Sequence, residues 1–271
     1  MLIIIAIFIA ILIFIFKNLN YNKSKYKEQT HNSYFSLIFD KGKLGEYYLY
    51  EELEMLPGYK HYLFNCYVPT QNGTTEIDVI LLHETGVYVF ESKNYSGWIF
   101  GNENQQYWTQ VLPVGKGRSQ KHQFFNPIIQ NKIHIRKLKT FLKNTTNIPF
   151  YSYIIFSNRC ELKDITISSN SNYVINRYSL LYSLKEVISK TNITLSKETI
   201  DELYDKLYPL TQTDNIKKLA HVIHIQELKN STICPLCGAK LVVRTVKRGN
   251  NIGKKFMGCP NYPNCRFTRN I

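Results

Sequence analysis

A helical stretch, a run of short alternating strands, a second helix and a further apolar strand predict an α/β fold, a mixed sheet flanked by helices. Three observations carry this. A helical pattern runs from Tyr34 through Leu37, Ile38, Leu44, Tyr48, Glu51, Leu53 and Leu56 and stops at Pro57-Gly58. Runs of period two, rich in β-branched and aromatic residues, follow at 62–68, 75–83, 86–94, 98–100 and 107–112. Pro127 then opens a helix to about Lys143, and 151–156 is a further apolar strand.

The remaining elements fall around this core. Residues 1–17 are an unbroken apolar run closed by Lys17. As a helix, that run spans roughly 24 Å against a hydrocarbon core of about 30 Å, and Leu19 and Tyr21 extend it into the interface. A cleaved signal peptide needs a basic start and a small-residue cleavage site, and the run has neither. It is therefore expected to be a single-pass transmembrane helix in the plasma membrane. Lys17, Lys23, Lys25 and Lys27 follow it, which places the soluble domains in the cytoplasm. Residues 18–33 are polar and basic without apolar periodicity and read as a linker. The main domain is expected over 34–208, with short strands near 165–167 and 173–175 and helices at 178–190 and 196–208. A second linker, 209–231, leads to a small module at 232–271.

The net charge of +14 favours polyanionic partners or an anionic surface. Asn, Ile, Lys and Tyr are abundant throughout, a general bias, so only clusters of charge carry weight. Two clusters accompany the main domain: Lys116, Arg118 and Lys121 in a glycine-bearing loop at 114–123, and Lys132, Arg136, Lys137, Lys139 and Lys143 along the second helix. Both could be solvated faces or phosphate contacts. No phosphate-binding loop ending in Gly-Lys-Ser/Thr is present, which excludes a nucleotide-driven motor of that type.

The segment 76–93 gathers the chemistry. If Glu84-Thr85 is a two-residue turn, Asp78 lies opposite Glu91 and Glu76 opposite Lys93, with all four side chains on one face. Ile77, Val79, Leu81, Tyr88 and Phe90 then form the core stripe. Carboxylates directly opposite repel unless a cation sits between them, and Mg²⁺ takes such oxygens. Lys93 beside the ion could stabilise a phosphoryl transition state or help activate water. The competing reading is a solvated sheet face with a Glu76–Lys93 ion pair.

The last 38 residues hold four cysteines, eight Lys and Arg and no acidic residue. The spacing Cys234-x2-Cys237-x21-Cys259-x5-Cys265, with Pro or Gly beside each pair, suits a tetrahedral structural Zn²⁺ site. A small basic module that needs a metal to fold points to nucleic acid rather than catalysis. Cys66 and Cys160 read as reduced strand residues.

Asp78, then Glu91-Ser92-Lys93 on the next strand, resembles the restriction-endonuclease-like superfamily. Gly42-x-x-Gly45-Glu46, Glu76-Ile77-Asp78, Glu91-Ser92-Lys93-Asn94-Tyr95-Ser96-Gly97, Trp108 and Asn126-Pro127-x-x-Gln130 resemble, more narrowly, the nuclease-related domain family. The resemblance covers roughly 41–143. It implies a restriction-endonuclease-like mixed sheet and a Mg²⁺-dependent phosphodiester hydrolysis that leaves 5′-phosphate and 3′-hydroxyl ends. By the same resemblance, Asp78 and Glu91 bind the metal, Glu46 joins them, Lys93 stabilises charge or activates water, and Gln130 orients a phosphate or the attacking water. Ser92 departs from the apolar residue common at its position.

The carboxyl-terminal module resembles the zinc finger of type IA topoisomerases through its cysteines and Gly249, Gly253, Gly258 and Pro263. That resemblance implies binding of DNA, single strands included. Phe256, Tyr262 and Phe267 are the candidates for stacking on bases, at least one of them being needed for the core. Arg244, Lys247, Arg248, Lys254 and Lys255 would contact phosphates. The sequence reading is therefore a membrane-anchored cytoplasmic DNA nuclease. The alternatives are a non-catalytic nucleic-acid tether on the same fold, or an RNA-processing factor.

Overall fold

The structure, a computed structural model, describes residues 1–70, 73–115, 117–169, 171–192, 194–249 and 251–270. The chain divides into two compact units, Met1–Thr213 and Asp214–Ile271.

In the first unit, helices α1 (Leu2–Asn22), α2 (Lys25–Thr30), α3 (Tyr34–Phe39) and α4 (Lys41–Glu54) precede strands β1 (Lys60–Thr70), β2 (Gly73–His83), β3 (Gly86–Lys93), β4 (Gly97–Asn102), β5 (Tyr107–Pro113) and β6 (Ser119–Phe125). Helix α5 (Pro127–Leu142) leads into β7 (Phe150–Phe156), β8 (Cys160–Thr166), β9 (Asn172–Asn176), α6 (Leu180–Lys190) and α7 (Lys197–Leu207). The main sheet has the order β1-β2-β3-β7-β9. Its first three strands are antiparallel and the last two pairings parallel. A second sheet, β6-β5-β4-β8, extends beside it. This is a mixed α/β architecture.

Both faces of the main sheet are buried. On one, Tyr62, Phe64, Val79, Leu81, Tyr88, Phe90 and Tyr153 pack with Leu49 and Leu53 of α4. On the other, Leu63, Cys66, Ile80, Leu82, Val87 and Val89 meet Leu138 and Leu142 of α5 and Ile200, Leu203 and Leu207 of α7. A strand covered on both faces reads as a continuous apolar run, which β3 does.

The β2–β3 turn is the two-residue one, Glu84-Thr85, and the register runs from His83↔Gly86 to Val79↔Phe90. Gly86 is required there: its φ is 138°, and a Cβ would lie 2.7 Å from the Pro149 carbonyl oxygen. The core stripe departs from expectation at one position. Ile77 packs with Ile80 and Leu82, not with Val79 and Leu81. The cause is a break in the β1–β2 ladder. Phe64↔Val79 and Cys66↔Ile77 pair, but the intervening Asn65 turns left-handed at φ 51°, and the side-chain alternation of both strands flips across Asn65 and Asp78.

Three segments differ from the sequence reading. Residues 18–33 are not a free linker: α1 continues to Asn22, α2 follows, and Tyr21 and Tyr26 are fully buried. The helix expected over 34–56 is two helices. Asp40 divides them, its Oδ1 accepting from the N–H groups of Gly42 and Lys43 at 2.8 and 3.2 Å as the cap of α4. Residues 119–123 of the expected basic loop form β6, paired with β5.

Asn126 caps α5, its Oδ1 accepting from Ile128 N–H at 2.9 Å, while its amide donates to the Glu103 and Gln105 carbonyls. Trp108 is fully buried, and its indole N–H donates to the Asn102 carbonyl at 3.0 Å. These two motif residues therefore build the fold.

Glu103, just past β4, is 7% exposed and ties the 168–172 loop down. It accepts from Ser168 and Ser169 N–H (3.0 Å each), from both their hydroxyls, from Asn172 Nδ2 (2.9 Å) and from Lys132 Nζ (2.9 Å). Burial pushes its carboxyl pKa up. The Ser169 hydroxyl, Lys132 ammonium and loop N–H groups outweigh this and hold it well below the usual carboxylate range. A depressed folded pKa stabilises above the unfolded value, about 4.3, and that stability is lost as pH falls toward the folded value. Glu103→Gln should cost on the order of 2 kcal/mol at pH 7. In thermal melts, the gap to wild type should narrow below about pH 4.

The second unit holds α8 (Asn215–Asn230) and a small antiparallel sheet of β10 (Val242–Thr245), β11 (Lys255–Gly258) and β12 (Thr268–Asn270). Most of the expected 209–231 linker is thus helical.

Candidate active site

Asp78 stands at the ladder break, one residue beyond the last paired position of β2 with β3. Its Oδ2 accepts the Ser92 N–H at 2.8 Å, which ties it to β3 between Glu91 and Lys93. Glu91 is 1% exposed. Lys93 Nζ lies 2.5 Å from Glu91 Oε1 and 3.3 Å from Gln130 Oε1. The expected single face holding all four residues is not formed: past the ladder flip Glu76 lies on the face opposite Glu91 and Lys93, where it accepts from the Tyr67 hydroxyl at 2.7 Å, and Lys93 pairs with Glu91.

Helix α4, on the sheet face opposite α5, brings Glu46 close enough to Asp78 for the two carboxylates to act on each other. Its Oε2 accepts from the Tyr26 hydroxyl at 3.0 Å and from Asn65 Nδ2 at 3.1 Å. The helix passes close to β3 because residue 45 has no side chain: a Cβ there would meet Asn94 Cβ and Ser92 Oγ at 3.2 Å each. A larger residue would push Glu46 away from β3.

Sequence reasoning missed His134. It follows Gln130 by four residues and so shares its flank of α5, a spacing that signals a common destination. Its Nδ1 lies 2.8 Å from Thr75 Oγ1 and its Nε2 3.2 Å from Glu91 Oε2. The Nε2 approach is poorly aligned for a hydrogen bond, leaving Glu91 Oε2 a buried oxygen without a well-directed donor.

The charges bear on one another. Burial, then the Glu91 and Glu46 carboxylates, raise the Asp78 pKa well above the usual range. Burial, with Glu76 and Asp40 adding to it, pushes Glu46 up to about 7 despite its two donors. Glu91 moves the other way: burial acts upward, but Lys93 and His134 outweigh it. For Lys93, burial acts downward, and Glu91 and Asp78 more than offset it, so the side chain is an ammonium. Carboxylate oxygens are the donor type that hard divalent cations take, but among the described residues Glu46, Asp78 and Glu91 bear on one another electrostatically without converging to the 4.8 Å spacing that the four cysteines reach.

In the second unit the four cysteine Sγ atoms lie within 4.8 Å of one another. Cys234–Cys265 and Cys237–Cys259 are 3.6 and 3.3 Å apart. A Zn–S bond of about 2.3 Å requires tetrahedral edges near 3.8 Å, so the cluster fits structural zinc.

A family model described as the nuclease-related domain matches residues 41–157. An uncharacterised protein of Bacillus anthracis is 32% identical over 187 residues, 68% of this chain and 84% of that protein. The chain belongs to the nuclease-related domain family. Its carboxyl-terminal module matches the topoisomerase DNA-binding C4 zinc finger at 231–271. A DNA topoisomerase 1 of Archaeoglobus fulgidus is 37% identical over 73 residues, 26% of this chain but only 10% of that enzyme. An uncharacterised protein of Methanocaldococcus jannaschii is 42% identical over 48 residues, covering 18% of this chain and 14% of that protein. No solved structure matches the chain.

The other expected contact residues of this nuclease-related domain protein are dispersed. Lys116 lies outside the described residues. Arg118 and Lys121 are exposed, the first at the β5–β6 turn and the second on β6. On α5, Lys132 is held by Glu103 and Lys139 lies over the Phe150 ring at 4.6 Å. Both line a cavity of about 430 Å³ with Arg136, on a different flank from Gln130. In the zinc module, Lys247, Arg248, Lys254 and Lys255 are exposed, and Arg244 donates to the Cys259 carbonyl at 3.3 Å. Tyr262 is 61% exposed, and Phe256 is half-buried. Phe267 is the correction: it is 5% exposed and packs with Leu241 and the cysteines, because so small a core needs an aromatic ring.

Proposed function

We propose that this protein is a membrane-anchored, metal-dependent DNA nuclease that hydrolyses phosphodiester bonds. The supporting observation is Asp78 tied to β3 between Glu91 and Lys93, with Gln130 beside the Lys93 ammonium and the Glu46 carboxylate acting on Asp78. Asp78 and Glu91 would hold Mg²⁺, assisted by Glu46, and the bound ion would supply Lewis acidity at the scissile phosphate. Lys93 places a fixed positive charge where negative charge develops on the phosphoryl oxygens. Gln130 turns Oε1 toward Lys93, which leaves its NH₂ group to hold a phosphate oxygen or the incoming water. The products would carry 5′-phosphate and 3′-hydroxyl ends.

The zinc module would deliver DNA, single strands included. Arg244, Lys247, Arg248, Lys254 and Lys255 would contact phosphates, with Phe256 and Tyr262 stacking on bases. Helix α1 is long and apolar enough to cross a bilayer, with a mean hydropathy of 2.5 over its span. We place it in the plasma membrane, with Lys17, Lys23, Lys25, Lys27 and the soluble domains on the cytoplasmic side.

The test is detergent-solubilised full-length protein with end-labelled single- and double-stranded DNA and matched RNA, in Mg²⁺ and in chelator. Metal-dependent DNA cleavage is expected. Binding of equal strength in chelator with no cleavage in Mg²⁺ or Mn²⁺ would replace the nuclease reading by a non-catalytic tether. Faster turnover of RNA would make the protein an RNA-processing factor.

A further inference from the structure

We infer that the segment joining the apolar helix to the nuclease-related domain is part of the metal site, with Tyr26 and Asn65 as positioning residues for Glu46. This rests on the reading of Glu46, Asp78 and Glu91 as metal ligands. Tyr26 sits in α2, between α1 and the domain that carries the acidic residues. Ser24 caps α2, its Oγ accepting from Lys27 N–H at 3.1 Å. The Tyr26 ring has no exposed surface, lying edge-on to Phe64 at 4.9 Å and to Tyr47 at 5.7 Å. Its hydroxyl emerges beside α4, 3.0 Å from Glu46 Oε2 and 3.3 Å from the Lys43 carbonyl. Asn65 reaches the same carboxylate oxygen from β1 by means of its left-handed backbone, at the ladder break facing Asp78.

Two donors on one oxygen orient a carboxylate and leave the other oxygen, Oε1, free of both. That is how a partner group fixes a metal ligand without occupying its binding lone pairs. Asn is among the few residues other than Gly that take a left-handed conformation readily, so the strand break and the amide donor come from one side chain. The apolar helix is thereby linked to the acidic cluster through buried contacts: Tyr21 of α1 packs on Tyr26 and Tyr47, and Tyr26 bonds Glu46.

The experiment is Mn²⁺ binding to the detergent-solubilised full chain without DNA, followed by paramagnetic resonance of the free ion, with Asp78→Ala identifying the site. Tyr26→Phe keeps the ring and removes only the donor. Mn²⁺ binding should weaken about tenfold, with the melting temperature falling by no more than a few degrees. Asn65→Gly, which keeps the left-handed backbone, should weaken it comparably and serves if Tyr26→Phe folds poorly. In a Glu46→Gln background, Tyr26→Phe should add little, since both act through one carboxylate. Equal binding by wild type and by whichever donor variant folds overturns the inference alone, as does a fully additive loss in the double variant. Absence of any Mn²⁺ site sensitive to Asp78→Ala overturns the metal-site reading and this inference with it.

Discussion

Asp78→Asn should abolish metal-dependent DNA cleavage, lowering the rate by roughly 10³-fold, while the protein melts at the same temperature or slightly higher. The two halves of this expectation have one cause. Burial, reinforced by the Glu91 and Glu46 carboxylates, raises the Asp78 pKa well above the ordinary range. In the absence of a cation, that charge destabilises the fold. The amide keeps the shape and can still accept the Ser92 N–H. It removes the repulsion together with any metal affinity. Sites assembled for chemistry characteristically show this opposition between activity and stability. Lys93→Ala should lose cleavage to a similar degree but should also destabilise, because it leaves Glu91 buried without its 2.5 Å partner. Kinetics with end-labelled DNA and thermal melts of both variants check this. Cleavage retained in Asp78→Asn would end the catalytic assignment. A large loss of stability in that variant would show the carboxylate to be a structural element.

Removing zinc should unfold the carboxyl-terminal module. Its core is Cys234, Leu241, Cys259, Cys265 and Phe267, with Leu236, Ala239 and Met257 partly buried around them. Three of its five buried residues are proposed ligands, and its strands are only three or four residues long. Structural zinc in such small modules contributes on the order of 10–16 kcal/mol of apparent folding free energy, so no alternative core can replace it. One zinc per chain is expected by atomic absorption, falling to none in Cys259→Ala. DNA retention in that variant should drop, and the salt dependence of what remains should be shallower, since fewer phosphates are neutralised. A module that keeps its amide dispersion by NMR after metal removal would refute this.

The features legible in sequence are those set by local chemistry. The Glu84-Thr85 turn and the register that follows from it were readable because alternating apolar runs flank the turn and Gly86 follows it. The cysteine cluster was readable from spacing alone. The ladder break at Asn65 was not, because nothing in the strand pattern distinguishes an Asn that turns left-handed from one facing solvent. That break moves Ile77 to the other face. Residues 18–33 were misread for a related reason. Tyr21 and Tyr26 count as polar in a basic context, yet their rings fill the core and their hydroxyls are bonded within the protein, to the Asn32 carbonyl and to Glu46. His134 meets Glu91 only through tertiary packing of α5, although its spacing from Gln130 was visible.

The short joint between α1 and α2 bears on reach. Tyr21 lies against Tyr26, Tyr34 and Tyr47, and Phe14 meets Tyr34 at 5.3 Å, so the first helix enters the domain through interlocked rings rather than through loose chain. With that helix in a bilayer, the domain would stand on a stiff post. Its working radius would be set by its own dimensions, and it would meet only those strands that come down to the lipid surface.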